Sequence, residues 1–165
     1  MLETATSQSS LSAALKGMHS SVIFVPTMGA LHEGHAALIR AAKKLSPSVV
    51  VSIFVNPLQF ENEHDLAQYP VTLEADRKLA TDSGASFVWA PTYQEVYKGE
   101  INKISAGDLG QRYEGHSRPG HFDGVLTVVK RLFEAVDPAK AIFGEKDYQQ
   151  FFLINGTRAG VEHFL

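Results

Sequence analysis

The sequence predicts an α/β fold, a doubly wound parallel sheet with helices on both faces, and three observations predict it. Short apolar segments, "SVIFV" (Ser21 to Val25), "SVVVSIFV" (Ser48 to Val55) and "ASFVWA" (Ala85 to Ala90), are β-branched or aromatic and nearly continuous, as strands covered on both faces are. Stretches with the period of a helix separate them. The polar segments rich in Gly, His, Gln and Lys fall just after the strands, where open α/β sheets bind ligands.

Near the start, "TSQSSLS" is polar and low in complexity, and no element is assigned to it. After the first strand, "GHAALIRAAKKL" brings Ala36, Leu38, Ile39, Ala42 and Leu45 near one helical face. After the second, "TLEADRKLATDSG" runs from a capping signal at Thr72 to a stop at Gly84. "GDLGQRYEG" reads as a short helix and "FDGVLTVVKRLFEAVDP" as a longer one ended by Pro138. "AKAIFG" is a further buried strand, and a helix is expected to begin after "DYQQFFLI". Val22, Phe24, Val50, Ile53, Val88, Val128 and Leu132 are assigned to the core. There is no internal repeat at solenoid periods.

A chain of 165 residues suits one domain with a real core. Net charge of −3 with 20% charged residues argues against duplex nucleic acid as a partner, since that binding needs clustered Lys and Arg. The absence of cysteine excludes disulfides, thiolate catalysis and Cys-type zinc sites. With no long apolar run and no signal-peptide pattern, the expectation is a cytoplasmic protein with no membrane partner.

The segment "PTMGALHEGH" (Pro26 to His35) follows the first strand. Gly29 and Gly34 permit close backbone approach or positive φ, and a helix beginning near Gly34 or His35 turns its positive dipole end to the loop. His32 and His35 can each donate to phosphate oxygens. The residues alone leave two readings, an anion-facing loop and a tight turn with capping or surface histidines. Metal ligation by this pair would need further ligands from afar. After the second strand, "NPLQF" offers Asn56 and Gln59 as neutral donors and acceptors. After the late strand, "GEKDYQQ" offers Lys146 as a point charge for phosphate, Asp147 for ribose hydroxyls, and Gln149 and Gln150. Each is also compatible with an ordinary solvated turn.

In combination and in this order, "PTMGALHEGH", "SIFVNPLQF", "YPVTLEAD", "RPGHFDGVLTVV" and "FGEKDYQQ" resemble the pantoate–β-alanine ligases (pantothenate synthetases) of the HIGH-motif nucleotidylyltransferase superfamily, with "HEGH" in place of His-x-Gly-His. The resemblance covers roughly Val22 to Ile154. It implies a Rossmann-like N-terminal domain and Mg-ATP-dependent condensation of pantoate with β-alanine through pantoyl adenylate. It implies that His32, His35 and Lys146 bind ATP phosphates as the catalytic groups, with Met28, Gly144 and Asp147 completing the ATP site. Gln59, Phe60 and Gln150 would hold pantoate, and Asn56 would lie near the second-step, β-alanine site. Asp76 would face Mg²⁺, while Arg118 and His121 would belong to a loop closing on the ligands. A homodimer is expected.

Family members continue into a smaller domain with a Ser-Ser-Arg-Asn type motif that covers the ATP phosphates, so residues 1–165 are expected to be a single N-terminal domain without that lid. "INGTRAGVEHFL" also departs from the family's long helix, Asn155, Gly156 and Gly160 being poor helix residues. Two other readings stand beside the ligase: a noncatalytic domain that binds pantoate or nucleotide or pairs with another chain, and a different HxGH nucleotidylyltransferase. "NPLQF" and "FGEKDYQQ" favour the ligase over the last.

Overall fold

The continuous apolar runs form the middle of a parallel sheet. The computed structural model describes residues 4–156 and 161–164. Its strands, numbered in chain order, are β1 (Thr4–Ala5), β2 (Ile23–Thr27), β3 (Val49–Ile53), β4 (Phe87–Trp89), β5 (Lys140–Gly144) and β6 (Val161–Phe164). They pair all parallel in the order β1-β4-β3-β2-β5-β6. The helices are α1 (Gln8–Lys16), α2 (Glu33–Leu45), α3 (Glu63–Gln68), α4 (Leu73–Ser83), α5 (Tyr93–Val96), α6 (Glu114–Ser117), α7 (His121–Val136) and α8 (Tyr148–Asn155). A 3₁₀ turn at Pro57–Gln59 follows β3 and another at Glu145–Asp147 follows β5.

Successive strand residues serve opposite faces, so both must be apolar. Ile23, Val25, Val49, Val51, Val88 and Ile142 pack with Ile39 and Ala42 of α2 and Ala80 of α4. Phe24, Val50, Phe87, Trp89 and Ala141 pack on the other face with Leu11 of α1 and with α7, whose Val125, Val129, Leu132 and Phe133 are buried. Each such side chain contributes roughly 1.5–3 kcal/mol when removed from water. Phe24, Val50, Val88, Val128 and Leu132 are buried as expected, whereas Val22 and Ile53 are only partly so.

The doubly wound expectation holds, with local corrections. Leu45 at the end of α2 is exposed, while Leu38 lines a cleft described below. Gly84, at φ 107°, ends α4, and its N–H closes on Ala80 O and Thr81 O. Thr72 stands at the start of α4, but its hydroxyl donates to Asp76 instead of capping the backbone. Asp137, at φ 44°, ends α7 just ahead of Pro138. "GDLGQRYEG" divides into a 3₁₀ turn at Leu109–Gln111 and the short α6. The stretch from Tyr148 is itself helical and stops at Asn155 and Gly156; a strand, β6, follows. Gly160 lies outside the described residues. Unassigned from sequence, "TSQSSLS" begins α1, which Ser7 caps by accepting from Ser10 N.

Candidate active site

From β2 the chain steps to β3 on one side and later to β5 on the other, so the crevice between the ends of β2 and β5 is a topological switch point. A cleft of about 540 Å³ opens there. Its buried apolar lining includes Phe54, Val125, Val129, Leu132 and Phe143. Its polar lining includes His32, His35, Gln59, Lys146, Asp147 and Gln150, with Met28 and Gly144. A binding site built this way is apolar with a few convergent polar groups.

The loop after β2 is held in a strained course by one carboxylate. Gly29 sits at φ 87° and Ala30 at φ 49°, the latter a conformation that costs a β-carbon-bearing residue of order 1 kcal/mol. Asp76, 2% exposed, accepts from Ala30 N at 3.1 Å, from Leu31 N at 2.8 Å and from the Thr72 hydroxyl at 3.1 Å. A β-carbon on Gly29 would come 3.0 Å from Asp76 Oδ2. Asp76 therefore buckles the loop from α4. The carboxylate is turned to the protein backbone and is engaged by three donors.

His32 and His35 cap α2 reciprocally. His32 Nδ1 accepts from Gly34 N at 3.1 Å, and His35 Nδ1 accepts from His32 N at 3.3 Å. The His32 ring folds so closely over Gly34 that a β-carbon there would stand 2.8 Å from its Cε1. A side chain at this position, where φ is ordinary, would push the ring from its place. An Nδ1 that accepts leaves the proton of a neutral imidazole on Nε2. Burial, with His32 beside it, holds His35 below the ordinary value of 6.5, against the opposing charges of Asp76 and Asp147. Near neutrality the His35 ring therefore keeps Nε2–H as a donor at the positive end of α2.

On the opposite wall, Gln59 is 7% exposed and Asn56 fully buried. Asn56 Nδ2 donates to Gln59 Oε1 and to Gly124 O, both at 3.1 Å, while its Oδ1 accepts from Leu58 N at 3.3 Å and from the Tyr97 hydroxyl at 2.7 Å. Asn56 is thereby enclosed, behind Gln59 and outside the cleft lining. Gly124 lets α7 come this close, since a β-carbon would stand 2.2 Å from Leu58 O. Phe60 also stays off the cleft lining: it meets Tyr69 edge-on at 5.7 Å, and Tyr69 forms the wall instead.

At the end of β5, Lys146 and Asp147 are exposed on the cleft and Gln150 half-buried in it. Gln149 points elsewhere. Its Nε2 donates to Leu109 O and Arg112 O, both at 2.8 Å, and its Oε1 accepts from Glu114 N, pinning that loop to α8. Arg118 and His121 are brought to each other and not to the cleft. Arg118 pairs with Glu114 at 2.9 Å and donates to His121 Nε2 at 3.3 Å. His121, 6% exposed, donates from Nδ1 to Gln59 O at 2.8 Å. Arg118 remains partly exposed beside it, while His121 is a bracket behind Gln59. Burial also lowers its pKa, against the hydrogen bond to Gln59.

Tyr69, Tyr97 and Gly124 were not singled out from the sequence. Gly124 alone had a signal, as a glycine inside a helical pattern that demands a packing reason. Among the described residues no group of three or more His, Asp or Glu side chains stands ready for a metal ion, and no helix is long and apolar enough to cross a membrane.

Comparison with known proteins decides what this arrangement descends from. The family model described as pantoate-beta-alanine ligase matches residues 1–160. The chain belongs to the pantoate–β-alanine ligase family. Pantothenate synthetase of Acidothermus cellulolyticus is 52% identical over 145 residues, covering 87% of this chain and 48% of that protein. That of Corynebacterium glutamicum is 49% identical over 166 residues, covering 98% and 59%. The chain thus spans about half the length of the curated relatives it matches. Crystal structures of the family superpose along nearly its whole length. The Thermus thermophilus enzyme does so with a TM-score of 0.88 at 43% identity, covering 99% of this chain and 60% of that one. Pantoate-beta-alanine ligase from Francisella tularensis, complexed with beta-gamma ATP and β-alanine, does so with 0.91 at 35% identity, covering 99% and 66%. The Rossmann-like α/β architecture is the family's.

Proposed function

We propose that the cleft binds pantoate beside the phosphates of ATP, as the N-terminal part of an ATP-dependent pantoate–β-alanine ligase. The observation that carries this reading is that one cleft at the switch point gathers two chemistries. His32, His35 and Lys146 offer donors and a positive charge, and Gln59 and Gln150 offer amides beside the apolar lining. Phosphates suit the first. A small hydroxy acid with a branched apolar middle suits the second.

A pantoate carboxylate oxygen attacks the α-phosphorus of ATP, forming the acyl phosphate bond as the bond to the pyrophosphate oxygen breaks and that oxygen keeps the electron pair. The Nε2–H groups of His32 and His35 and the ammonium of Lys146 stabilise charge on the phosphate oxygens during transfer. Asp147 and Gly144 meet the ribose, and Met28 lies along the nucleotide. The amine of β-alanine then attacks the acyl carbon, AMP leaves with the bonding pair, and the amine loses a proton to give the amide. Positioning and electrostatics carry both steps.

Mg²⁺ would come with the ATP phosphates, which hold this ion with few protein ligands. Among the described residues no group of three or more acidic or histidine side chains is gathered for the ion; Asp76, which holds the loop after β2, would be its protein-side partner, and no step is routed through the ion. The same reading carries a cytoplasmic homodimer, for which sedimentation at micromolar concentration gives twice the chain mass.

Pantoate-dependent exchange of pyrophosphate into ATP tests the first step. Exchange by this chain that needs pantoate supports the ligase. Pantoate binding without exchange would leave a binding domain and overturn the active-ligase reading of these 165 residues.

A further inference from the structure

The amide of Gln59 could face the cleft with either its oxygen or its nitrogen, and the choice decides whether it accepts from the ligand or donates to it. The surrounding groups fix it. Gly124 O can only accept and Leu58 N can only donate, so Asn56 must present Nδ2 to the first and Oδ1 to the second. With its orientation set, Asn56 Nδ2 also donates to Gln59, which must turn Oε1 back into the protein. Gln59 Nε2 then looks to the cleft, and among the described residues no protein acceptor takes it. The remaining partner of Asn56 Oδ1 is the Tyr97 hydroxyl, the shortest bond of the set at 2.7 Å. Tyr97 is 6% exposed and lies outside the cleft lining. Burial, with Tyr93 close by, raises its pKa far above the usual range, so it remains a donor at every working pH.

We propose that Tyr97 is a positioning residue, acting through Asn56 to hold Gln59 as a one-way hydrogen-bond donor that selects an acceptor oxygen, carboxylate or hydroxyl, on the bound acid. The inference deepens the reading of this cleft as a pantoate site and rests on it. Tyr97 touches no ligand. Without its hydroxyl, Asn56 keeps the orientation that Gly124 O and Leu58 N impose but loses its shortest bond, and the two linked amides are held less tightly in place.

The test is Tyr97→Phe in the full 165-residue chain, titrated calorimetrically with pantoate and separately with ATP, alongside the ¹⁵N side-chain amide spectrum of the ligand-free protein. Loss of one hydrogen bond in the relay predicts pantoate affinity about three- to tenfold weaker, ATP affinity within about twofold of wild type, and shifted or broadened Gln59 amide resonances. Unchanged pantoate affinity overturns the inference. Equal loss for both ligands also overturns it, since Tyr97 would then act only on general packing. If the wild-type chain binds no pantoate, the reading of the site fails; unperturbed Gln59 resonances in Tyr97→Phe would independently sink the relay.

Discussion

His35 joins helix structure to ligand chemistry in one ring, because Nδ1 caps the chain and Nε2 is left for the cleft. Replacing it by Ala removes one donor to phosphate and one cap partner. We expect His35→Ala to weaken ATP binding at least tenfold and pantoate binding less than threefold, read by calorimetry with each ligand. Equal losses would contradict the assignment of this ring to phosphates. The same residues give a pH signature. His35 and His121 both have folded-state pKa values below the ordinary 6.5, so the unfolded chain binds protons that the folded chain refuses. Their contribution is whole above about 6.5 and is lost as pH falls through the lower folded values. Melting temperature should therefore drop between pH 7 and pH 5, and His121→Asn, which can still donate to Gln59 O, should make that drop shallower. An unchanged slope in the variant would show that His121 does not take up the proton.

At the scale of elements, the site is made by two close contacts between segments distant in sequence. Asp76 on α4 holds the loop after β2 across 46 residues, and Asn56 holds α7 across 68. Gly124→Ala would drive α7 off the Pro57–Gln59 turn, and overpacking of this kind costs roughly 1–3 kcal/mol. Chemical denaturation should read that loss together with weaker pantoate binding. Gly34→Ala should spare pantoate and weaken ATP, since its β-carbon meets only the His32 ring. These contacts also explain what the sequence could show. The strands were legible because burial on both faces leaves an unbroken apolar run, and the place of His32, His35, Lys146 and Gln150 on the cleft was legible because clefts of open α/β sheets form where the strands end. β1 has two residues and no pattern to read. Asn56, Phe60, Asp76, Arg118 and His121 could be recognised as unusual, yet their work depends on partners that only folding brings near. Tyr97, 41 residues from Asn56, carries no local mark at all.

For the whole molecule, the sheet order places the segments after β2, β3 and β5 on one cleft, and the claim is that an acid and a nucleotide meet there. The chain spans about half the length of the curated relatives it matches, so binding is the property these residues can be asked for directly. The decisive measurement is calorimetric titration with pantoate of the wild-type chain and of Gln150→Ala, each with and without ATP. The account predicts one saturable pantoate site in the wild type, compatible with bound ATP and at least tenfold weaker in the variant. Pantoate binding that is undiminished in Gln150→Ala, or that ATP abolishes by competing for the same space, would contradict it.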